Sequence, residues 1–161
     1  PDVSDEALLA RAEEWLDLDA LAAGRGSDAT SGLRGLLGWR ESARLDEVVP
    51  ETITVPSGSR IRIDYPEPGS DTSPVLAVKL QECFGWADGP TVCDGRVRVV
   101  LHLLSPARRP LAVTDDLASF WASVYPAVRV ENRGRYSKHP WPEDPMTATP
   151  TKRTNRALRG N

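Results

Sequence analysis

Residues 94–104 read Asp-Gly-Arg-Val-Arg-Val-Val-Leu-His-Leu-Leu, and this segment carries the clearest strand pattern in the chain. The pair Asp94-Gly95 is a strong short signal for a tight hairpin turn. After this turn, apolar side chains fall at every second position, which is the period of a strand with one buried face. That face carries Val97, Val99, Leu101 and Leu103. The other face, Arg96 to His102, becomes apolar toward its end, so we expect a strand that is covered in part on both sides.

Further strand patterns lie on either side of this segment. Residues 52–55 and 60–65 alternate around the turn sequence Pro56-Ser57-Gly58-Ser59, which predicts a hairpin with Ile61, Ile63 and Tyr65 on its core face. Leu111 to Val113 is expected to add a strand after the turn that contains Arg108 and Arg109.

Two helices are predicted among these strands. The first begins at Ser73, with Pro74 at its first position, and ends before Gly85, with Cys83 in its apolar face. The second is capped by Thr114, with Asp115 and Asp116 in its first turn, and should be interrupted at Pro126. Its predicted buried stripe consists of Leu117, Phe120, Trp121, Val124 and Val128.

The sequence before Pro50 has helical rather than strand period. Ser4 is a suitable cap for a helix that carries Leu8, Leu9, Ala12, Trp15 and Leu16 on one face. A second helix is expected from about Ser31 to Arg44, with Trp39 among its apolar positions. We therefore predict an α+β fold with a small mixed or antiparallel sheet and packed helices. Its parts are a helical lead-in over residues 1–49, an α+β domain over 50–145, and a disordered basic tail over 146–161.

Charge is distributed unevenly along the 161 residues. The net charge is −3, but residues 1–51 carry twelve acidic and five basic side chains, whereas residues 129–161 carry eight basic and three acidic ones. Only the basic end is therefore suited to phosphate. No apolar stretch is long enough to span a membrane, and the acidic start does not resemble a signal peptide. With Cys83 and Cys93 as the only cysteines, we expect a cytoplasmic protein without a structural disulfide.

The patterns that carry enzyme chemistry are missing. There is no glycine-rich phosphate loop and no nucleophile elbow, and the two histidines and two cysteines have no spacing typical of a metal site. The adjacent acids Asp115-Asp116 and Glu143-Asp144 are explained by helix capping and by a turn between prolines. We predict no catalytic residue and no metal ligand.

Residues 133–145, Arg-Gly-Arg-Tyr-Ser-Lys-His-Pro-Trp-Pro-Glu-Asp-Pro, form the segment that we call the strap. Its prolines favour extended backbone. Its aromatic residues are not typical of a simple linker, which is usually rich in glycine, serine and charged residues. Interleaved bases and aromatics can bind single-stranded nucleic acid. The predicted nucleic-acid contacts are Arg133, Arg135, Tyr136, Lys138, His139, Arg108 and Arg109. Trp141 and Trp121 are predicted to be structural anchors.

Several of these segments also resemble a known family. Val55-Pro-Ser-Gly-Ser-Arg-Ile-Arg-Ile-Asp-Tyr65, Val75 to Gly85, Leu101 to Pro106, Arg109 to Trp121 and the strap are similar, in the same order, to the C-terminal region of bacterial HrpB helicases. These are ATP-dependent DExH-box RNA helicases. The sequence departs from the family pattern at Asn132, where an apolar residue is expected, and at Ser137, where a proline is expected.

The resemblance implies an accessory module without ATPase motifs. ATP and Mg²⁺ would be bound elsewhere in such a helicase, and none of the family's catalytic positions falls in this chain. Two roles stay open: contact with or guidance of single-stranded RNA beside the helicase core, and docking onto that core of the same polypeptide or onto another protein.

Overall fold

The computed structural model describes residues 2–160, and it divides into two compact units at the boundary between Val48 and Val49. The first unit is helical, and the second combines strands and helices. The prediction of an α+β fold with small mixed and antiparallel sheets is confirmed. No helix within the described residues has the length and apolar character needed to cross a membrane.

The helical unit contains five short helices. They are α1 (Asp5–Ala10), α2 (Ala12–Trp15), α3 (Leu18–Ala22), α4 (Ala29–Gly35) and α5 (Trp39–Val48). The Ser4 hydroxyl accepts a hydrogen bond from the Ala7 N–H, as expected of a cap. The predicted single helices are wrong in detail, because the first is interrupted at Arg11 and the second between Gly35 and Trp39.

A close contact explains one glycine of this unit. A side chain at Gly32 in α4 would collide with the backbone carbonyl of Trp15 in α2. The missing Cβ therefore allows the two helices to approach each other. Trp15 is further fixed by its indole N–H, which donates to the Leu8 carbonyl at 2.9 Å.

The second unit contains a three-stranded sheet and two hairpins. Strands β1 (Thr52–Thr54) and β2 (Arg60–Arg62) form the predicted first hairpin, and β4 (Thr91–Val92) pairs with β5 (Val97–Arg98) around Asp94-Gly95. The sheet has the order β3-β6-β7, from strands β3 (Val75–Lys79), β6 (Val100–Leu104) and β7 (Pro110–Thr114). Strand β6 is central, parallel to β3 and antiparallel to β7.

The predicted helix from Ser73 to Gly85 is wrong. Its first part is strand β3, in which Leu76 and Val78 are buried while their neighbours are more exposed, and only Leu80–Cys83 forms a short 3₁₀ helix. Parallel pairing with β6 satisfies the backbone of β3 and outweighs the local helix-start pattern. Cys83 is buried in the core as predicted, and burial raises the pKa of its thiol.

The last long helix has a register shift. It consists of α6 (Leu117–Ser119), a π-helical turn (Phe120–Val124) and α7 (Tyr125–Asn132). Its cap is Asp116, whose carboxylate accepts from the Ser119 N–H, and not Thr114 as predicted. Because the wider turn rotates the following residues, Val124 is 45% exposed, so its predicted burial is wrong, and its neighbour Tyr125 is buried in its place at 1% exposed.

The core lies between the sheet and this helix. Phe84, Phe120, Trp121 and Tyr125 form its aromatic cluster, with ring centroids 5.1–6.4 Å apart. The Trp121 indole N–H donates to the Trp86 carbonyl at 2.8 Å. Burial raises the pKa of Tyr125 to about 12, and its hydroxyl donates to the Pro142 carbonyl at 2.8 Å. The second half of the strap is therefore tied to the helix.

The strap and the tail differ from the sequence expectations. Residues 133–138 form turns that continue from α7, so the first half of the strap is not extended. The prediction of a disordered tail is wrong for residues 146–160, which include helix α8 (Asn155–Arg159). Thr151 is buried, and its N–H donates to the Gln81 carbonyl at 2.9 Å. Asn161 lies outside the described residues.

Candidate nucleic-acid interface

A cationic depression of the second unit lies between the strap and the C-terminal residues 154–159. We call it the tail groove, and it is lined by Ser137, Lys138, Thr154, Asn155, Arg156 and Arg159. Its volume is about 490 Å³. Three of the six lining side chains are cations, and none is acidic. The groove is therefore suited to an anionic ligand.

Backbone ties between two distant segments build this groove. The Asn155 N–H donates to the Lys138 carbonyl at 2.7 Å, and the Asn155 side-chain amide donates to the Ser137 carbonyl at 3.3 Å. The Thr154 hydroxyl accepts from the Ala157 N–H and so caps α8. As a result, Lys138 from the strap and two arginines from α8 line the same depression.

The cations of the tail groove have no ion-pair partner among residues 2–160. Among the described residues, Lys138, Arg156 and Arg159 form no salt bridge that is shorter than 4.0 Å. By contrast, Arg129 on α7 donates from Nε to the Trp141 carbonyl at 2.8 Å and lies 3.5 Å from the Glu143 carboxylate. Arg129 thus holds the strap, whereas the groove cations remain available to a ligand.

The predicted RNA contacts on the strap differ in their surroundings. Lys138 lines the tail groove, while Arg133 ends α7 and Arg135 is exposed in the following turns. Tyr136 is half-buried, packs against the core, and accepts the Trp141 indole N–H on its carbonyl at 3.2 Å. Its ring is therefore only partly accessible for stacking.

His139 lies close to the charge of a strand residue. Burial, and then the nearby Lys79 ammonium, lower the pKa of His139 below its usual 6.5. The imidazole is accordingly neutral at pH 7 and does not add to the positive charge of the surface.

Arg108 and Arg109 lie in the turn between β6 and β7. Arg108 lines a second depression, together with Arg60, Arg62 and Lys79. Arg109 is exposed and lines neither depression, and its N–H donates to the Ser105 hydroxyl at 3.1 Å. The two neighbouring arginines thus have separate surroundings.

The two predicted anchors are buried. Trp141 is 9% exposed and Trp121 is 5% exposed, and both belong to the core cluster. Whether they anchor the fold energetically stays a prediction. Within residues 2–160, no three His, Cys, Asp or Glu side chains come together as metal ligands.

Sequence reasoning missed the contribution of Arg156, Arg159 and Lys79. The first two lie in the segment that the sequence predicts to be disordered, although Thr154 followed by Ala157 and Leu158 is a short capped-helix signal. Lys79 lies in the segment predicted to be a helix, and its position at the end of β3 depends on the pairing of that strand with β6.

The class of protein follows from the fold together with sequence comparison. The chain matches the family described as ATP-dependent helicase C-terminal over residues 12–145. It belongs to this family, and the resemblance stated from the sequence is confirmed.

Individual relatives agree with this assignment. The chain is 48% identical to the ATP-dependent RNA helicase HrpB of Escherichia coli strain K12, over 97% of its own length and 20% of that protein. The crystal structure of the E. coli DExH-box NTPase HrpB superimposes with a TM-score of 0.85 at 49% identity, covering 96% of this chain and 19% of the other. A crystal structure of the E. coli DEAH/RHA helicase HrpB gives 0.66 at 46% identity, covering 88% and 18%. The chain therefore spans about a fifth of these relatives.

Proposed function

We propose that this chain is the non-catalytic C-terminal part of an ATP-dependent RNA helicase in the cytoplasm, and that it contacts single-stranded RNA through the tail groove. The proposal extends the function named for the E. coli relative to a parent protein of this chain. ATP and Mg²⁺ would be bound by the rest of that protein, because this sequence lacks a phosphate-binding glycine loop.

The observation that supports RNA contact is the composition of the tail groove. Lys138, Arg156 and Arg159 line it without an acidic neighbour, and Ser137, Thr154 and Asn155 add polar groups. Such a lining can hold the phosphates of a strand without reading its sequence. The groove therefore fits guidance of RNA better than recognition of one sequence.

The test removes the charge of the groove and keeps its size. The triple substitution Lys138→Gln, Arg156→Gln and Arg159→Gln should weaken binding of a fluorescent single-stranded RNA at least about tenfold in an anisotropy titration at low salt, because three phosphate contacts are lost. Three substitutions in the helical unit, Arg11→Gln, Arg25→Gln and Arg40→Gln, change the net charge equally and should have little effect. Equal losses in both variants would contradict a specific role for the groove.

A second candidate function is docking onto the rest of the helicase polypeptide. The helical unit favours it, because among its described residues Ala20 alone is a buried hydrophobic, while Trp39 is 84% exposed and Leu9 is 74% exposed. Small units without a core need a partner to bury apolar surface. Trp39→Ala should then leave the melting temperature of this chain unchanged and lower that of the full-length helicase. If Trp39→Ala leaves the melting temperature of the full-length helicase unchanged, this docking role is wrong.

A further inference from the structure

Among the described residues of the second unit, the side chains on one face of the three-stranded sheet are only half-buried or exposed. Leu76, Val78, Leu101 and Leu103 point into the core, so the alternate residues point the other way. These are Val75, Ala77 and Lys79 on β3, and Val100, His102 and Leu104 on β6, all half-buried or exposed. On β7, Val113 is paired with His102 and is 64% exposed.

A depression lies at one end of this open face, and we call it the sheet groove. It has a volume of about 320 Å³. The apolar side chains that line it are Ile61, Ala77 and Leu104. Its cationic lining comes from Arg60 and Arg62 on β2, Lys79 on β3 and Arg108 in the turn after β6. Apolar surface next to several cations suits a ligand that has both a planar or apolar part and a negative charge.

The acidic groups nearby offset only part of the positive charge of these four cations. Glu82, the one acidic lining residue, is buried, and its carboxylate accepts from the Ser57 hydroxyl at 2.8 Å. Arg60 donates to the neutral Thr52 hydroxyl at 3.0 Å. Arg62 lies 4.0 Å from Glu51, but both side chains are about four-fifths exposed, which makes the pair weak.

The turn that presents Arg108 is held in an unusual conformation. Arg108 has φ of 62°, in the left-handed region that residues other than glycine rarely adopt. Hydrogen bonds from the Arg108 N–H to the Ser105 carbonyl at 2.8 Å and from the Ser105 N–H to the Arg109 carbonyl at 2.8 Å fix the turn. The side chain of Arg108 is therefore presented from a defined backbone position.

The sheet groove and the tail groove lie on neighbouring segments. Lys79 of the sheet groove is close enough to His139 to lower the pKa of that imidazole, and His139 follows Lys138 of the tail groove. The Thr151 N–H also ties the C-terminal segment to the Gln81 carbonyl, next to Glu82 of the sheet groove. The segments that line the two depressions are thus neighbours in the same unit.

We propose that the sheet groove is the second half of a single-stranded RNA track, in which the apolar lining holds a base or ribose and the four cations hold phosphates, while the tail groove holds the next part of the strand. This inference rests on the proposed function, since it takes the same ligand. It adds a site that accepts the nucleoside part, whereas the tail groove contacts only the backbone. Stacking and apolar contact of this kind tolerate any sequence.

The test compares two double variants of the 161-residue chain with a charge-matched control. Lys79→Gln with Arg108→Gln changes the sheet groove, Lys138→Gln with Arg156→Gln changes the tail groove, and Arg25→Gln with Arg40→Gln is the control. The probe is a labelled oligouridylate of about 16 nucleotides, titrated over a range of salt concentrations. Each groove variant should bind more weakly and lose about 1.4 from the slope of log affinity against log salt, because a single strand contributes about 0.7 per phosphate contact. The control should keep the wild-type slope.

The possible outcomes separate this inference from the proposed function. If only the tail-groove variant loses affinity, the second half of the track is wrong and the proposed function stands. If only the sheet-groove variant does, RNA contact through the tail groove is wrong. If uridine monophosphate competes as strongly as the oligouridylate, the sheet groove is a site for a free nucleotide and the inferred RNA track is wrong. If polyglutamate competes as strongly as the oligouridylate, both the RNA track and the proposed RNA contact are wrong, since negative charge alone would then explain binding.

A measurement on the unaltered protein keeps the test valid should a variant fail to fold. Addition of the oligouridylate to the isotopically labelled chain should shift the NMR amide signals of Ala77 and Leu104 together with those of Lys138 and Asn155. Shifts confined to the second pair would overturn the inference.

Discussion

At the scale of single residues, Trp141 shows how a strap becomes part of the fold. Its ring is buried in the core cluster, its indole N–H donates to the Tyr136 carbonyl, and its own carbonyl accepts from Arg129 Nε. Trp141→Ala should therefore lower the free energy of unfolding by about 3–5 kcal/mol, measured by urea denaturation. Trp141→Phe keeps most of the apolar contact and should cost clearly less. If Trp141→Ala unfolds at the wild-type urea concentration, the anchor role is wrong.

His139 gives the fold a pH dependence with a defined sign. Burial and Lys79 lower the pKa of His139 in the folded chain, so the unfolded chain binds more protons as the pH falls through 6.5. The free energy of unfolding should therefore fall between about pH 7.5 and pH 5.5, within the range where histidine titrates. His139→Gln should reduce this fall in denaturation experiments at both pH values. An identical pH dependence of the variant and the wild type would show that His139 is not its source.

Residue patterns predicted burial well wherever the local period was regular. Leu101 and Leu103 are buried as the alternation requires, and Trp121 and Phe120 follow the helical stripe. Val124 is exposed and Tyr125 is buried because a π-helical turn precedes Pro126, which cannot donate a backbone hydrogen bond. Which of these two neighbouring residues is buried depends on how the helix packs. The helical period of the sequence alone does not predict it.

At the scale of elements, hairpins were predictable and the parallel strand was not. Asp94-Gly95 determines its turn locally, with Gly95 at φ of 79°, and the β1–β2 hairpin follows from an equally local signal. Strand β3 pairs with β6, about 25 residues later, so no short-range signal marks it. Ser73 and Pro74 imitate a helix start, and the long-range pairing overrides that local preference.

The helical unit provides an element-scale prediction. Because a Cβ at position 32 would collide with the Trp15 carbonyl, Gly32→Ala should force α2 and α4 apart and lower the stability of this unit by about 1–3 kcal/mol, although alanine is the better helix former. Gly35→Ala is the matched control on α4, since nothing lies within 4 Å of its added Cβ. Hydrogen exchange of the α4 amides would measure the effect of each substitution on the stability of this helix. Faster exchange in Gly35→Ala than in Gly32→Ala would contradict the close-contact explanation.

At the scale of the whole molecule, the tail groove could not be derived from sequence. Its cations come from the strap and from α8, which the tail's polar composition made look disordered. The ties that join these segments run mainly through backbone atoms, such as the Asn155 N–H and the Lys138 carbonyl, and backbone groups leave no residue signature. By contrast, the family was accessible from long ordered motifs, and its membership is shown by the match over residues 12–145.

The salt dependence of RNA binding by the unaltered chain would show whether the grooves hold phosphates. Anisotropy titrations with a labelled single-stranded RNA should show binding at low salt that weakens steeply as salt is added. The three cations of the tail groove predict a slope of about −2 in log affinity against log salt, and the sheet groove would make it steeper. An absence of binding at low salt, with all of these cations intact, would contradict the account.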